Sequence, residues 1–119
     1  MLVSDEDMNI GCVVYEKDDV SGKLKASWIL SFNGHDVSGT GLALGTIGPQ
    51  FEGGYIIEYF NENGISAGKY MLDIAKLNDI YKLNWFQNSI LMCQGSGMLF
   101  EGKLIAGWKK VKFLQIFQE

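Results

Sequence analysis

Apolar and polar residues alternate along most of this chain with a period of two, which is the pattern of a half-buried β-strand. The clearest case is Leu24–Phe32, where every second residue is apolar and only Ile29 breaks the polar series between them. Seven further segments have a strand-like pattern: Ile10–Glu16, Asp36–Leu44, Tyr55–Phe60, Ile65–Ala75, Ile80–Phe86, Ile90–Met98 and Leu104 to about Phe117. The chain is therefore predicted to form eight strands.

Short polar turns separate these segments. Asn33-Gly34 is the strongest hairpin signal among them, because both residues accept the positive φ of a two-residue turn. Connections of about two to six residues place consecutive strands side by side and antiparallel. One segment has a second interpretation: Gly68–Asn78 also carries apolar residues at helical spacing, although the neighbouring hairpins favour a strand.

Eight sequential antiparallel strands with one apolar face most simply close into a barrel, because closure removes the exposed strand edges. We therefore expect an all-β, single-domain, antiparallel up-and-down meander that closes into a small barrel of about eight strands. A two-sheet β-sandwich is the alternative. The barrel domain is predicted to span residues 10–119, after a flexible acidic N-terminal segment over residues 1–9.

An aromatic residue and a later glycine recur at similar spacing in three of the predicted hairpins. The pairs are Trp28 with Gly39, Tyr59 with Gly68 and Trp85 with Gly95. We expect each ring on the outgoing strand to lie opposite the glycine on the returning strand, which leaves room for it. The two Gly-x-Gly sequences are not predicted to bind a nucleotide, because neither has the third glycine at the required spacing and no helix follows.

Composition narrows the classes of function. The chain has 119 residues with 15 glycines and one proline, which suits short strands and tight turns. Its ten basic residues are all lysine and its net charge is −4. No nucleic-acid partner is expected, because arginine is the main reader of phosphate and guanine. No apolar run approaches the roughly 18 residues of a membrane span, and no signal peptide is visible, so we expect a cytoplasmic protein unless an upstream signal has been removed.

Candidate catalytic and metal-ligating groups are few. His35 is the only histidine, and a triad with Asp36 and Ser38 would place all three groups on one turn, which does not give the order that catalysis needs. Cys12 and Cys93 have no metal-ligand spacing with each other or with His35. We expect two buried thiols, which pair only if their strands are neighbours in an oxidising compartment. No enzyme, catalytic residue, metal or cofactor is therefore predicted.

The charged residues of the predicted strands are expected at the surface. Alternation places Glu58 and Asp73 on outward faces of adjacent strands, where solvated carboxylates are the ordinary outcome. Lys109, Lys110 and Lys112 form the only basic cluster. We expect this cluster on a solvated strand face, and steering of an acidic partner is the alternative.

Aromatic side chains dominate the predicted inward faces. Either the rings fill a small barrel, or several of them line a cavity in which phenolic hydroxyls orient a ligand. The residues expected to bind such a ligand are Trp28, Tyr55, Tyr59, Tyr81 and Trp85. The leading hypothesis is a binding module for a small hydrophobic ligand, with a cavity of about 300 Å³ or more. Its rival is a protein-interaction or inhibitor module with a plugged barrel that acts through loops and strand edges. The sequence does not predict the oligomeric state.

Eight sequential strands, a tryptophan on an early strand and Trp108-Lys109-Lys110 near the end resemble the calycin superfamily of lipocalin-like and avidin-like barrels. Lipocalins usually carry Gly-x-Trp on the first strand and an arginine on the last strand that packs on that tryptophan. Here Trp28 lies on the predicted second strand, and Lys110 or Lys112 would replace the arginine. The avidin-type pattern of a biotin site is absent. The resemblance implies binding of a small apolar ligand, or use of the barrel as an interaction scaffold.

Overall fold

The computed structural model describes residues 9–18, 22–45 and 50–111. These residues form eight β-strands and no helix, which confirms the all-β prediction. The strands are β1 (Ile10–Lys17), β2 (Leu24–Phe32), β3 (His35–Gly45), β4 (Gly53–Asn61), β5 (Ser66–Leu77), β6 (Ile80–Gln87), β7 (Ile90–Phe100) and β8 (Lys103–Lys110). The acidic segment predicted over residues 1–9 lies outside the described residues except for Asn9.

The eight strands form a closed antiparallel barrel in sequence order. Each strand pairs with its neighbours along the chain, and β1 also pairs with β8 from Gly11 opposite Trp108 to Tyr15 opposite Leu104. The meander and its closure into a barrel are therefore confirmed, and the sandwich alternative is wrong. Because each of these strands has a partner on both sides, none of the eight presents an open sheet edge.

The tight turns follow from residues that tolerate positive φ. Asn33 and Gly34 have φ of 48° and 76°, as a two-residue hairpin turn of the mirror-image type requires. The same backbone conformation recurs at Asn88-Ser89 and at Glu101-Gly102. These turns join β2 to β3, β6 to β7 and β7 to β8, so local turn chemistry and the long-range register specify the same barrel.

Two details differ from the sequence-based expectations. The segment Gly68–Asn78, which also had a helical interpretation, lies in β5 up to Leu77, where it pairs with both β4 and β6, and Asn78 begins the turn that follows. The last strand ends at Lys110, with Val111 outside it, whereas the sequence pattern extended it to about Phe117. Residues 112–117 lie outside the described part of the chain.

The barrel interior is packed at one end, which we call the closed end. This is the end where β1 leads to β2, β3 to β4, β5 to β6 and β7 to β8. Phe51, in the segment before β4, is buried there with only 3% of its surface exposed. Its carbonyl accepts a 2.7 Å hydrogen bond from the Tyr55 hydroxyl, and Lys17 Nζ lies 4.9 Å from its ring centroid. Tyr81, Leu24 and Leu104 are also fully buried.

Candidate functional site

A cavity of about 180 Å³ occupies the other half of the barrel interior. We call this half the open end; the turns β2–β3, β4–β5 and β6–β7 lie there. The residues that line the cavity are Val13, Trp28, Leu30, Tyr59, Ala67, Tyr70, Trp85, Cys93, Trp108 and Lys110. The lining is mostly apolar and contains all three tryptophans of the chain. A half-enclosed space of this composition is suited to small-molecule binding.

Three side chains from three strands form a hydrogen-bonded layer across the barrel, and we call Tyr15, Tyr59 and Trp85 the polar layer. The hydroxyls of Tyr15 and Tyr59 are 2.6 Å apart. The indole Nε1 of Trp85 donates to the Tyr59 hydroxyl over 2.7 Å. Tyr15 is fully buried and does not line the cavity, whereas Tyr59 and Trp85 do. The polar layer therefore separates the packed half of the interior from the cavity.

The rings around the cavity hold one another in place. Trp28 and Tyr59 meet edge to face, with centroids 6.5 Å apart and planes at 84°. Tyr59 also meets Tyr70 at 5.8 Å, and Trp85 meets Trp108 at 6.2 Å. Pairs of this geometry contribute about 0.5–1.5 kcal/mol each beyond the area they bury. The cavity wall is thus a connected set of rings.

Most rings of the lining and most inward glycines lie on alternate strands. Four of the five rings are on even-numbered strands (Trp28, Tyr59, Trp85 and Trp108), Tyr70 is on β5, and the inward glycines are on odd-numbered strands (Gly11, Gly39, Gly41, Gly68, Gly95 and Gly97). A Cβ atom on Gly39 would overlap the Phe60 carbonyl oxygen and would also lie 2.6 Å from Cζ2 of Trp28, so no side chain fits there. The missing side chains at Gly11, Gly39 and Gly41 therefore leave space for the rings of Trp108, Trp28 and Tyr59.

The predicted pairing of ring with glycine is correct in two hairpins and wrong in the third. Trp28 lies opposite Gly39, and Tyr59 lies opposite Gly68. Trp85 instead lies opposite Cys93, because its hairpin turn at residues 88–89 comes three residues after the ring and the register shifts beside it. Gly95 still adjoins the Trp85 ring, since a Cβ atom there would lie 3.2 Å from Cζ3 of that ring.

Cys93 and Lys110 are the remaining chemically distinctive groups in the lining. Burial raises the pKa of the Cys93 thiol to about 11, and the positive charge of Lys110 opposes that shift without cancelling it. The thiol is therefore protonated at neutral pH and is a poor nucleophile. Lys110 is exposed, but it lines the cavity and does not lie on the outer strand face where it was predicted. Of the other two lysines in the predicted basic cluster, Lys109 is exposed and Lys112 lies outside the described residues.

The five residues predicted to bind a ligand fall into two groups. Trp28, Tyr59 and Trp85 line the cavity. Tyr55 and Tyr81 lie beyond the polar layer at the closed end, each with 1% of its surface exposed. Alternation correctly assigns all five to the inward face, but it contains no information on depth along the barrel axis.

Sequence reasoning did not select several residues of the lining. Tyr70 and Trp108 line the cavity, yet they are not among the five residues that the sequence predicts to bind a ligand. Distance from the turns would have identified both, because Tyr70 follows the β4–β5 turn and Trp108 precedes the end of β8. Cys93 was expected to be a buried thiol, and the burial is confirmed. Its position in the cavity follows from the register of β7 with β6.

The other candidate groups do not assemble into a site. Asp36 accepts a 2.5 Å hydrogen bond from Ser31 Oγ, while the His35 ring lies beside Phe32 with centroids 6.3 Å apart. Cys12 and Cys93 are free thiols on β1 and β7, which β8 separates. Within the described residues, no three histidine, cysteine or acidic side chains are grouped to hold a metal ion.

Comparisons with protein-family models, with curated proteins and with solved structures found no match for this chain. What the geometry defines is therefore a class of architecture, an eight-stranded antiparallel barrel with one packed end and one ring-lined cavity. In the part of the chain that the structure describes, no helix is long and apolar enough to cross a membrane.

Proposed function

We propose that this protein binds a small, flat aromatic compound of one or two rings in the cavity at the open end. The observation that carries the proposal is the cavity itself, about 180 Å³ in volume and walled by three tryptophans and two tyrosines. Aromatic rings stack favourably on other rings, and apolar surface removed from water contributes about 25 cal/mol per Å². A flat apolar ligand therefore gains from both terms.

The volume limits the size of the ligand. The cavity is smaller than the 300 Å³ or more expected from the sequence, because the polar layer and the residues beyond it fill the rest of the barrel. An apolar cavity of about 150 Å³ is enough to hold benzene. The proposed ligand is accordingly a compound of one or two rings, well below drug size.

The charge of the lining argues against a cationic ligand. A cage of rings is otherwise well suited to a quaternary ammonium group through cation–π attraction. Here Lys110 contributes a positive charge to the lining, and none of the described residues that line the cavity is acidic. A neutral or anionic compound is therefore the proposed ligand class.

Binding rather than catalysis is proposed, in keeping with the chemistry of the lining. The potential nucleophile, Cys93, keeps its proton at neutral pH, because burial raises its pKa. Within the described part of the chain, neither His35 nor a carboxylate lines the cavity to act as a general base. A lining of this kind supports retention of a ligand better than turnover.

The proposed function is tested by titrating neutral one- and two-ring compounds against the protein and following tryptophan fluorescence. All three tryptophans line the cavity, so their emission reports on it alone. A matched pair of variants provides the control. Ala67→Phe places a ring at the edge of the cavity and should abolish the response, whereas Ala75→Phe adds the same ring at an exposed position near the closed end and should preserve it. An identical response in both variants would contradict the proposal.

Membership of the calycin superfamily is a finer proposal than the barrel architecture. The meander of eight strands and the single open end support it. In lipocalins the arginine of the last strand packs on the tryptophan, and Lys110 does not reproduce this contact. Lys110 lines the same cavity as Trp28, but among the described residues the cation that lies over a ring is Lys17, on Phe51. The family assignment therefore rests on topology.

A second candidate function is interaction with another protein, and one outward apolar row favours it. Leu44, Ile56 and Met71 lie in register across β3, β4 and β5 with 56%, 59% and 58% of their surface exposed. Such a row is self-complementary under two-fold symmetry, so a second copy of this chain is the proposed partner. Sedimentation velocity tests it: the wild type should associate with rising concentration and Met71→Lys should not. Equal behaviour of both proteins would contradict this candidate.

A further inference from the structure

We infer that the ligand carries a hydrogen-bond acceptor, such as a carbonyl oxygen, and that the Tyr59 hydroxyl donates to it. This inference rests on the proposed function and specifies its ligand class. It follows from counting the donors and acceptors of the polar layer, which sits at the inner end of the cavity. The count leaves one hydroxyl hydrogen without a partner in the described protein.

Three donors and two acceptors meet in the polar layer. The donors are the indole N–H of Trp85 and the two phenol O–H groups, and the acceptors are the two phenol oxygens. The Trp85 N–H donates to the Tyr59 oxygen. The contact between the hydroxyls of Tyr15 and Tyr59 uses one phenol hydrogen, whichever residue donates. The second phenol hydrogen therefore remains free.

Burial decides which hydroxyl keeps the free hydrogen. Tyr15 has no exposed surface and does not line the cavity, and its one further hydrogen-bond contact is with the Trp85 indole, which can only donate. If Tyr59 donated to Tyr15, the Tyr15 hydrogen would be buried without an acceptor, which is strongly disfavoured. If Tyr15 donates to Tyr59, the free hydrogen belongs to Tyr59, whose side chain lines the cavity. The second arrangement is the favoured one.

Both phenols keep their hydrogens over the physiological range. Burial is the largest cause that raises the pKa of Tyr59, and it raises the pKa of Tyr15 well above its ordinary value. Ionisation of one phenol is therefore not an alternative way to satisfy the layer at neutral pH. The unused donor persists until a molecule in the cavity accepts it.

A fixed donor inside an apolar cavity selects among ligands of equal shape. A compound with an acceptor at the right place satisfies the Tyr59 hydroxyl, whereas its hydrocarbon isostere leaves that hydroxyl unpaired and excludes the water that would otherwise accept from it. One net hydrogen bond of this kind corresponds to roughly a three- to tenfold difference in affinity. The polar layer thus gives a mostly apolar cavity a preference for ligands that carry a hydrogen-bond acceptor.

The test compares acetophenone with α-methylstyrene, which share a shape and differ by a carbonyl oxygen in place of a methylene group. Both are titrated into isotopically labelled protein, and dissociation constants are taken from the shifts of the indole N–H signals. We expect the wild type to prefer acetophenone by roughly three- to tenfold. Tyr15→Phe should keep that preference, because it removes only the donor to Tyr59. Tyr59→Phe should lose it.

Each result separates this inference from the function on which it rests. If neither compound binds, both proposals are wrong. If both bind the wild type equally, the cavity function stands and the acceptor inference is wrong. A preference that appears only in Tyr15→Phe would mean that Tyr59 donates its hydrogen to Tyr15 in the wild type. A preference that is lost in Tyr15→Phe would mean that it depends on Tyr15. Either result would also overturn the acceptor inference. Should Tyr59→Phe fail to fold, Lys110→Met provides the second test, because it removes the charged donor of the lining and should keep the preference. Loss of the preference in Lys110→Met would overturn the inference.

Discussion

Trp108 on the last strand packs directly against Gly11 on the first, at the seam where the barrel closes. The two residues are register partners between β8 and β1, and a Cβ atom on Gly11 would lie 2.6 Å from Cζ2 of the Trp108 ring. A ring on one strand and an absent side chain on the other therefore share the same space. The same relationship joins Trp28 and Gly39, so it is a general means of fitting large rings into this narrow barrel.

Gly11→Ala should destabilise the barrel by about 1–3 kcal/mol, the usual cost of overpacking a closely packed site. The Trp108 ring would have to move, which also alters the cavity. Gly107→Ala is the matched control, because that glycine is exposed on β8 and a Cβ atom there would lie 3.9 Å from the nearest heavy atom. Urea unfolding measures both variants, and equal stabilities would show that the Gly11–Trp108 contact does not constrain the seam.

Two buried phenols at the closed end should respond differently to loss of the hydroxyl. The Tyr55 hydroxyl donates to the Phe51 carbonyl over 2.7 Å, so Tyr55→Phe should cost about 1 kcal/mol. The Tyr81 hydroxyl is buried with no hydrogen-bond partner among the described residues, so Tyr81→Phe should be neutral or slightly stabilising. Thermal or urea unfolding of the two variants checks the order, and a larger loss for Tyr81→Phe would contradict these contacts.

Alkaline pH should weaken the fold through Cys93. Burial raises the pKa of its thiol from 9.0 to about 11, so the unfolded chain releases this proton first. The stabilisation is complete below about pH 9 and is lost as the pH rises toward the folded value. Between about pH 8 and pH 10 the wild type should lose roughly 1 kcal/mol more than Cys93→Ala. Unfolding free energies at both pH values test this, and parallel losses in the two proteins would show that Cys93 is not responsible.

The number and pairing of the strands could be predicted from sequence because they depend on local patterns. Alternation identified the inward face of β2, and Asn33-Gly34 fixed the hairpin that follows it. Closure followed from the number of strands and the short connections. Phe51 could not be predicted in the same way, because it lies in a loop with φ of 74° and becomes buried only once the closed end has formed.

The candidate site was predicted only in part, because depth along a barrel axis is a property of register rather than of alternation. Tyr55 and Tyr59 share one face of β4 and have the same pattern in sequence, yet one is beyond the polar layer and the other lines the cavity. The contact between Tyr15 and Tyr59 joins residues 44 positions apart, from strands that are not neighbours. Only the closed barrel brings such groups together.

The most direct test of the central claim is a nuclear magnetic resonance titration of the three tryptophan indole N–H signals with a neutral one-ring ketone such as acetophenone. Trp28, Trp85 and Trp108 are the only tryptophans of the chain, and all line the cavity. A ligand in the cavity should shift all three signals with one common dissociation constant, while the backbone signals of the closed end, such as Leu104, stay unchanged. Saturating ketone that leaves the indole signals in place, or shifts outer-face signals instead, would contradict the claim that this cavity is a ligand site.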